Sequence, residues 1–171
     1  METNSSQLLS NMSEEERELY SREALKLGSQ LCFPLYACAR KVTGLYTPYL
    51  KPLGLTYTQY LVFMVLWEQD DISVGELGRR LFLDSGTLTP LLKKMEEKAL
   101  IVRGRCPDDE RCVKVTLTDE GRHMRDKVLD IPARVGSCIR LSSEEAGIFH
   151  HLLYKVIGTI EEQSQEQVRN I

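Results

Sequence analysis

The pattern of hydrophobic and polar residues changes period near residue 100 of the chain. Before this point, YTQYLVFMVLWEQ (residues 57–69) is almost wholly apolar and predicts a buried helix that begins at the capping box Thr56–Gln59. After it, IVRGRC and CVKVTLT alternate between apolar and polar residues on either side of PDDE, which is a strong turn sequence. This alternation predicts a β-hairpin.

Two short amphipathic helices are predicted between the buried helix and the hairpin. The first, VGELGRRLF, follows a Ser73–Glu76 cap and ends at the turn LDSG, and the second is TLTPLLKKMEEKAL. The apolar face of the second helix holds Leu88, Leu91, Leu92, Met95 and Ala99, and its opposite face holds Thr89, Pro90, Lys93, Lys94 and Glu97. Each helix therefore has one face for a core and one face for solvent or a partner.

Helix, tight turn, helix and hairpin follow one another in the order of a winged helix-turn-helix. The second helix of such a motif enters the major groove of DNA, and the hairpin reaches the neighbouring minor groove. The hydroxyls of Ser85 and Thr87, with free backbone N–H groups at the helix start, favour a phosphate contact. The pattern alone leaves a second interpretation open, in which these elements merely complete a core.

Helices are also predicted on both sides of this motif, which makes the fold mainly α with a small β-hairpin wing. SEEE (residues 13–16) is a capping box, and helical periodicity resumes in ACARKVTGLY. After the hairpin, DEGRHMRDKVLD is helical up to Ile131–Pro132, and the Ser142–Glu145 capping box opens a last amphipathic helix. Pro34 is expected to start or kink the helix that it occupies.

Composition and charge favour a globular protein of the cytosol. The chain of 171 residues is 42% hydrophobic and 27% charged, and no apolar run approaches the ~18 residues of a membrane span. The first thirty residues are acidic, unlike a signal peptide. The net charge is −3, but residues 79–115 hold nine Lys/Arg against six Asp/Glu. The middle of the chain is therefore the part that favours phosphate.

Five cysteines are too few and too scattered for a disulfide framework, so each is expected to be a thiol in a reducing compartment. Cys106 and Cys112 flank the hairpin turn and are predicted to be spectator thiols, with pairing across the hairpin or half of a zinc site as alternatives. Cys38 is predicted to be inert, because it lies six positions from Cys32 and off its helix face. No cofactor, metal site or enzyme activity is expected, since phosphate-loop, metal-ligand and Ser/His/Asp patterns are absent from the sequence.

The segment from LFLDSGTLTPLLKKMEEKALIVRGR to the DER and VTLTDEG motifs resembles the DNA-binding core of the MarR family of bacterial repressors. LCFPLYACAR together with LTYTQYL is similar to the organic hydroperoxide resistance regulators within that family. The resemblance covers roughly residues 29–160 and implies a MarR-like dimer. It divides the chain into an acidic N-terminal extension (1–28) and a single domain (29–171), with a winged helix-turn-helix over 56–117 and dimerisation helices over 29–53 and 118–165.

The resemblance implies a peroxide-sensing cysteine at Cys32. It also implies that Tyr46 and Tyr57 donate hydrogen bonds to this sulfur from the other subunit, which would favour the reactive thiolate. Tyr36 and its apolar neighbours would favour an organic hydroperoxide with an apolar tail as the signal. Packing of the two tyrosines in a core, without a redox role, remains an alternative.

Oxidation of Cys32 is expected to give a sulfenic acid that condenses with a second thiol. The resemblance implies Cys138 of the partner subunit as that resolving residue, and a low-molecular-weight thiol is the alternative. A new disulfide between distant cysteines would displace helices and release DNA.

The expected DNA contacts come from the second short helix and the wing. Thr89, Lys93 and Lys94 lie on the outward face of the helix, together with Ser85 and Thr87 at its start. The resemblance implies that Arg111 enters the minor groove and that Asp109 positions it.

The sequence thus predicts a homodimeric repressor that binds a double-stranded DNA operator when reduced and has no membrane partner. Two alternatives remain open at this point. One keeps the fold but is released by a small aromatic ligand, with Cys32 inert. The other is a thiol peroxidase in which Cys32 turns over repeatedly.

Overall fold

The computed structural model describes residues 12–106 and 109–169, and for 109–111, 165 and 167–169 it describes the backbone alone. The chain divides into two compact units, of which the first ends at Leu129 and the second begins at Asp130. The helices of the first unit are α1 (Glu14–Ala24), α2 (Cys32–Leu45), α3 (Thr47–Leu50), α4 (Tyr57–Glu68), α5 (Val74–Leu81), α6 (Ser85–Glu97) and α7 (Asp119–Val128). Its strands are β1 (Ile72–Ser73), β2 (Ile101–Cys106) and β3 (Asp109–Leu117), and the second unit holds α8 (Ile131–Cys138) and α9 (Ser143–Arg169).

The core of the first unit forms around helix α4, as its apolar sequence predicted. Val62 and Phe63 are fully buried, and the ring of Phe63 stacks on Trp67 with centroids 5.1 Å apart. The Trp67 indole N–H donates to the carbonyl oxygen of Gly121 at 3.1 Å, which connects α4 to α7. The predicted Thr56–Gln59 capping box is present at the start of the helix. Met64 is an exception to the burial, since it is 39% exposed.

Helices α5 and α6 form the predicted helix-turn-helix. Phe82 ends α5 in the left-handed conformation (φ 54°), and the Leu83 N–H donates back to the Gly78 carbonyl at 2.9 Å. A Cβ at Gly78 would lie 2.8 Å from the Leu83 carbonyl oxygen, so the turn needs glycine at this position. The turn is tight because the chain passes directly over this glycine.

The predicted hairpin is confirmed, and it belongs to a three-stranded antiparallel sheet of order β1-β3-β2. The short strand β1 was not predicted. It pairs Ile72 with Val115, immediately after the Asp70–Asp71 turn. Two residues are too few to show an alternating pattern, so periodicity could not identify this strand.

The end of helix α6 differs from the prediction. The helix stops at Glu97, and Ala99 is exposed with a left-handed φ of 54° instead of lying on the apolar face. Leu88, Leu92 and Met95 are buried as expected. The chain turns at Ala99 because the Leu100 N–H donates to the Met95 carbonyl and Leu100 then leads into β2.

In the second unit, helix α9 begins at the predicted Ser142–Glu145 capping box. The Ser142 N–H donates to the Glu145 carboxylate at 2.8 Å, and the Glu145 N–H donates to the Ser142 hydroxyl at 3.2 Å. Within the described ranges of the chain, no helix has the length and apolar character needed to cross a membrane.

Candidate functional site

Helix α6 presents a continuous polar face to solvent. Its described side chains at the predicted DNA-contact positions are all exposed: Ser85, Thr87, Thr89, Lys93 and Lys94. The face is held outward because Leu88, Leu92 and Met95 of the same helix are buried on the other side. Two lysines and three hydroxyls on one exposed helix face are suited to phosphate and base edges.

Asp84 caps the start of helix α6. Its carboxylate accepts hydrogen bonds from the Thr87 N–H at 2.9 Å and from the Thr87 hydroxyl at 2.8 Å. These bonds, first of all that from the hydroxyl, lower the pKa of Asp84 below its ordinary value. The Thr87 N–H, one of the backbone groups expected to be free at the helix start, therefore already has a hydrogen-bond acceptor within the chain. The Thr89 hydroxyl likewise donates to the Ser85 carbonyl at 2.7 Å.

Arg103 fastens the base of the wing to helix α6. Its Nε and Nη2 donate to Glu96 Oε2 at 2.9 and 2.6 Å, and its backbone N–H donates to Glu96 Oε1 at 3.1 Å. The hydrogen bonds from Arg103 lower the pKa of Glu96. Three bonds between one pair of residues fix the position of strand β2 relative to the polar helix.

A second connection holds β3, the central strand of the sheet. Asp71 accepts from Lys114 Nζ at 2.7 Å, and this hydrogen bond lowers the pKa of Asp71. Asp70 accepts from the Leu117 N–H at 2.9 Å. Asp71 has a left-handed backbone conformation (φ 57°), and its carboxylate contacts Lys114 of β3. The turn before β1 thus supports the strand that continues to the wing tip.

The predicted wing residues Asp109 and Arg111 lie at the start of β3, and their side chains fall outside what the structure describes. Their DNA-binding role therefore stays a prediction. Another arginine of the hairpin, Arg105 on β2, has a described side chain, and this side chain is exposed. Arg105 pairs with Val113 of β3.

The prediction that Cys106 and Cys112 are spectator thiols is wrong in this structure, because the two sulfurs form a disulfide. Their Cα atoms are 5.4 Å apart, within the range that a disulfide spans. The structure has instead the alternative that the sequence left open, which is pairing across the hairpin. Among the described residues, no group of three His, Cys, Asp or Glu side chains is arranged to hold a metal ion.

Cys32 is an exposed free thiol at the first residue of helix α2. Its S–H points to Gln30 Oε1 at a sulfur–oxygen distance of 3.8 Å. Pro34 lies in the first turn of the helix, where its missing N–H disrupts no helical bond, as the sequence indicated.

The two tyrosines expected to contact the sulfur lie together. The rings of Tyr46 and Tyr57 have centroids 4.8 Å apart, and Tyr60 joins them at 5.8 Å from Tyr46. Burial, followed by the proximity of Tyr46, raises the pKa of Tyr57. Tyr57 therefore keeps its O–H proton and remains a hydrogen-bond donor. Among the described side chains, neither tyrosine contacts Cys32 of the same chain.

Tyr36 lies one helical turn after Cys32 and is 58% exposed. Its hydroxyl accepts a hydrogen bond from Arg40 at 2.9 Å, and the Arg40 guanidinium lies 5.5 Å from the ring centroid. Phe33, Arg40 and Lys41 join Tyr36 in lining a surface cavity of about 380 Å³. The sequence interpretation missed Arg40, although its spacing of four residues from Tyr36 places both on one helix face.

The remaining thiols are both exposed. Cys138 ends helix α8, where its S–H lies 3.5 Å from the Arg134 carbonyl oxygen. Cys38 lies in the middle of α2. Exposure makes either thiol accessible to reagents or to another chain.

The chain matches the family model described as transcriptional regulator SarA/Rot over residues 44–128. It is 41% identical over 140 residues to the organic hydroperoxide resistance transcriptional regulator of Bacillus subtilis (strain 168). That alignment covers 82% of this chain and 95% of the relative.

Two solved structures of AbfR, a protein of Staphylococcus epidermidis, have the same fold. Reduced AbfR bound to DNA matches with a TM-score of 0.68 and 35% identity, covering 82% of this chain and 99% of that chain. Disulfide-formed AbfR matches with a TM-score of 0.59 and 34% identity, covering 84% and 98%.

Proposed function

The chain belongs to the MarR family of winged-helix transcriptional regulators, in the branch of the organic hydroperoxide resistance regulators, and we propose that it is a redox-sensing repressor. A homodimer binds a double-stranded DNA operator in the cytoplasm when Cys32 is reduced and releases it when an organic hydroperoxide oxidises Cys32. The observation that carries this proposal is an exposed free thiol at the start of α2 in a chain similar to regulators of hydroperoxide resistance. Regulators, not enzymes, are the relatives of this chain.

A dimer is supported by apolar surface that the single chain leaves exposed. Helix α2 buries none of its residues, and none of the described side chains of α9 is fully buried. The exposed large apolar side chains of α9 are Ile148, Phe149, Leu152, Tyr154, Val156 and Ile160. Four of them, Ile148, Leu152, Val156 and Ile160, recur every fourth residue and share one side of the helix, which indicates a protein partner, and a second copy is the simplest one.

The sensing reaction begins at the Cys32 sulfur. The thiolate attacks one peroxide oxygen, the O–O bond breaks, and the hydroperoxide leaves as an alcohol after it gains a proton. Cys32 is left as a sulfenic acid. Phenol O–H groups of the partner's Tyr46 and the partner's Tyr57 favour the thiolate before the attack, and the raised pKa of Tyr57 keeps its proton available.

The second step joins Cys32 to another thiol. We assign this role to the partner's Cys138, whose sulfur attacks the sulfenic acid, forms the disulfide and releases water. Exposure of both thiols supports the assignment. The bond would pull on α8 and α2 and thereby move the DNA-binding elements.

DNA binding is assigned to the exposed face of α6 and to the wing. Lys93, Lys94 and Thr89 face the major groove, with Ser85 and Thr87 near the phosphates, and Arg111 enters the minor groove with Asp109 as its positioning partner. Thr87 and Thr89 donate within the chain, so their hydroxyls must rotate before they donate to phosphate.

Replacing Cys32 by Ser separates redox sensing from release by a small aromatic ligand. The Cys32→Ser variant is expected to keep its affinity for the operator and to lose its response to cumene hydroperoxide, measured by fluorescence anisotropy of labelled DNA. Cys38→Ser is the matched control, because it removes an exposed thiol from the same helix and should leave the response unchanged. A Cys32→Ser protein that still releases DNA after peroxide would disprove the proposal.

The resolving thiol is identified by a non-reducing gel after one equivalent of hydroperoxide. The wild-type protein is expected to form a crosslinked dimer that is absent in both Cys32→Ser and Cys138→Ser. If the dimer persists in Cys138→Ser, this assignment is wrong. Mass spectrometry then shows whether a low-molecular-weight thiol has joined Cys32 instead.

The wing contact is tested by Arg111→Ala. Loss of one arginine in the minor groove should weaken operator binding by about 1–3 kcal/mol and reduce the salt dependence of binding. Unchanged affinity would refute the assignment. The exposed Arg79→Ala, on helix α5, serves as a control for the loss of one positive charge.

A further inference from the structure

A third tyrosine lies behind the two that are proposed to contact Cys32 of the other subunit. Tyr60 is only 3% exposed, whereas Tyr46 and Tyr57 are half-buried. The ring centroid of Tyr60 is 5.8 Å from that of Tyr46 and 6.4 Å from that of Tyr57. Tyr60 therefore forms the inner side of a cluster of three rings, and the other two rings form its outer side.

The three rings come from two different helices. Tyr57 is the first residue of α4, and Tyr60 lies about one turn later on the same side of that helix. Tyr46 directly follows the last residue of α2, and its ring packs against both of the others. Centroid distances of 4.8 and 5.8 Å lie in the range of favourable aromatic pairs. The Tyr46 ring thus rests on two rings of α4, of which Tyr60 is the buried one.

Tyr60 is itself held in place by the core. Its ring meets the ring of Trp67 edge to face, with centroids 6.4 Å apart and an angle of 67° between the planes. Trp67 is fixed in turn, because it stacks on Phe63 and donates a hydrogen bond to the carbonyl oxygen of Gly121. A closely packed side chain has few rotamers open to it. Tyr60 therefore connects a fixed core to two rings that are partly open to solvent.

Tyr60 contributes a neutral ring to the cluster. Burial, followed by the proximity of Tyr46 and then of Tyr57, raises the pKa of Tyr60. Because this pKa lies above the ordinary value of 10.0, the phenol keeps its proton at pH 7. The ring can therefore position its neighbours by packing without adding a charge next to a thiolate.

We propose that Tyr60 is a positioning residue of the sensor, and that its ring holds Tyr46 and Tyr57 where their hydroxyls donate to the partner's Cys32. The inference rests on the tyrosine–thiolate contact proposed above and adds a residue to it. A hydrogen bond favours the thiolate only while the donor points at the sulfur. Without the Tyr60 ring the two phenols rotate more freely, the thiolate is less favoured, and Cys32 reacts more slowly.

The test compares two heterodimers of the full chain that carry the same substitutions and differ only in which chain carries Tyr60→Leu. Both chains carry Cys38→Ser, and one chain of each dimer also carries Cys32→Ser, so that a single Cys32 remains. In the first heterodimer Tyr60→Leu lies in the chain that lacks Cys32. In the second it lies in the chain that retains Cys32. The two chains are coexpressed with different affinity tags and purified through both.

The readout is the rate of alkylation by iodoacetamide, which reacts with the thiolate. Mass spectrometry follows the Cys32 peptide across a range of pH, and the peptide with the exposed thiol of Cys138 is the internal standard. The first heterodimer is expected to react about tenfold more slowly at pH 7 than the second, with its pH profile displaced upward. Equal rates would overturn the proposal, because a general loss of packing affects both heterodimers alike.

Two further variants of the chain that lacks Cys32 separate the ring from the hydroxyl and from the core. Tyr60→Phe keeps the ring and should restore the rate, whereas a rate as low as with Tyr60→Leu would also overturn positioning by the ring. Phe63→Leu is the matched control, because Phe63 is fully buried and stacks on Trp67. It should leave the rate unchanged, and a loss equal to that of Tyr60→Leu would reduce Tyr60 to a general core residue.

Replacing both Tyr46 and Tyr57 by Phe in that same chain distinguishes the two possible failures. If this pair of substitutions slows alkylation and Tyr60→Leu does not, the tyrosine contact stands and the role of Tyr60 alone is wrong. If the pair leaves the rate unchanged, the tyrosine contact is wrong and this inference fails with it. Tyr60→Met fills the site with a flexible side chain and replaces Tyr60→Leu in the comparison if the Leu chain does not assemble.

Discussion

The winged helix and helix α2, which carries Cys32, differ in how many of their side chains are buried within a single chain. Helix α4 buries six of its residues, and Leu88, Leu92 and Met95 of α6 are almost fully buried. Helix α2 buries none, and Leu35 and Tyr36 beside the thiol are 43% and 58% exposed. The DNA-binding fold has its own core, whereas the proposed sensor has an apolar surface without a covering partner among the described residues.

This difference shows which properties depend on assembly. Burial of apolar surface within one chain stabilises the helix-turn-helix whether or not a second copy is present. The reactivity of a thiol depends on nearby hydrogen-bond donors and on exclusion of water, and at Cys32 the described hydrogen bond runs the other way, from the S–H to Gln30 Oε1. In the proposed mechanism, sensing therefore depends on a dimer, whereas folding of the helix-turn-helix does not.

The largest effect is expected from removing a core side chain of the winged helix. Phe63 is fully buried and stacks on Trp67, so Phe63→Ala should lower the free energy of unfolding by about 3–5 kcal/mol. The neighbouring Met64→Ala, at a side chain 39% exposed, should cost much less. Urea unfolding followed by tryptophan fluorescence measures both. Similar losses for the two variants would show that Met64 also lies in a core, one formed on dimerisation.

The second effect concerns the apolar face of helix α9. Val156→Glu places a charge among exposed apolar side chains, and burying that charge in an interface should weaken dimerisation by about 3 kcal/mol. His151→Glu adds the same charge roughly 140° around the helix from Val156 and should weaken dimerisation less. Light scattering over a range of concentrations gives the dimer affinity. A dimer unchanged by Val156→Glu would place the interface elsewhere.

Sequence periodicity was sufficient to predict the helices and strands that pack within one chain. The buried helix, the capping boxes and the hairpin all appear where the pattern predicted them, because burial on one face selects the period of the sequence. The polar face of α6 was predicted for the same reason, and Thr89, Lys93 and Lys94 are exposed as expected. Their contacts with DNA remain predictions.

Features that depend on pairing between strands were not visible in the pattern. Cys106 and Cys112 were predicted to be free thiols, with pairing across the hairpin as an alternative, and in the structure the strand pairing shifts after Arg105 and the two Cα atoms lie 5.4 Å apart. The sequence contains the six-residue spacing but does not fix the register of the two strands. The Arg103–Glu96 connection was missed for the same reason, since it forms only when β2 turns back along α6.

The smallest predicted effect tests how firmly the wing is attached to the packed region. Glu96 accepts three hydrogen bonds from Arg103, and these lower its pKa below the ordinary value of 4.5. A lowered pKa in the folded state means that the carboxylate stabilises the fold above about pH 4.5. That stabilisation is lost as the pH falls through the lowered folded-state pKa.

Glu96→Gln removes the charge and should cost about 1 kcal/mol at pH 7, because the pair is partly exposed and screened by solvent. The difference in unfolding free energy between wild type and variant should shrink as the pH is lowered below 4.5, since wild-type Glu96 then becomes neutral as well. Glu97→Gln, at the exposed neighbouring position, is the matched control and should show no such trend. A difference that stays constant down to acid pH would show that Arg103 holds the wing through its backbone N–H rather than through charge.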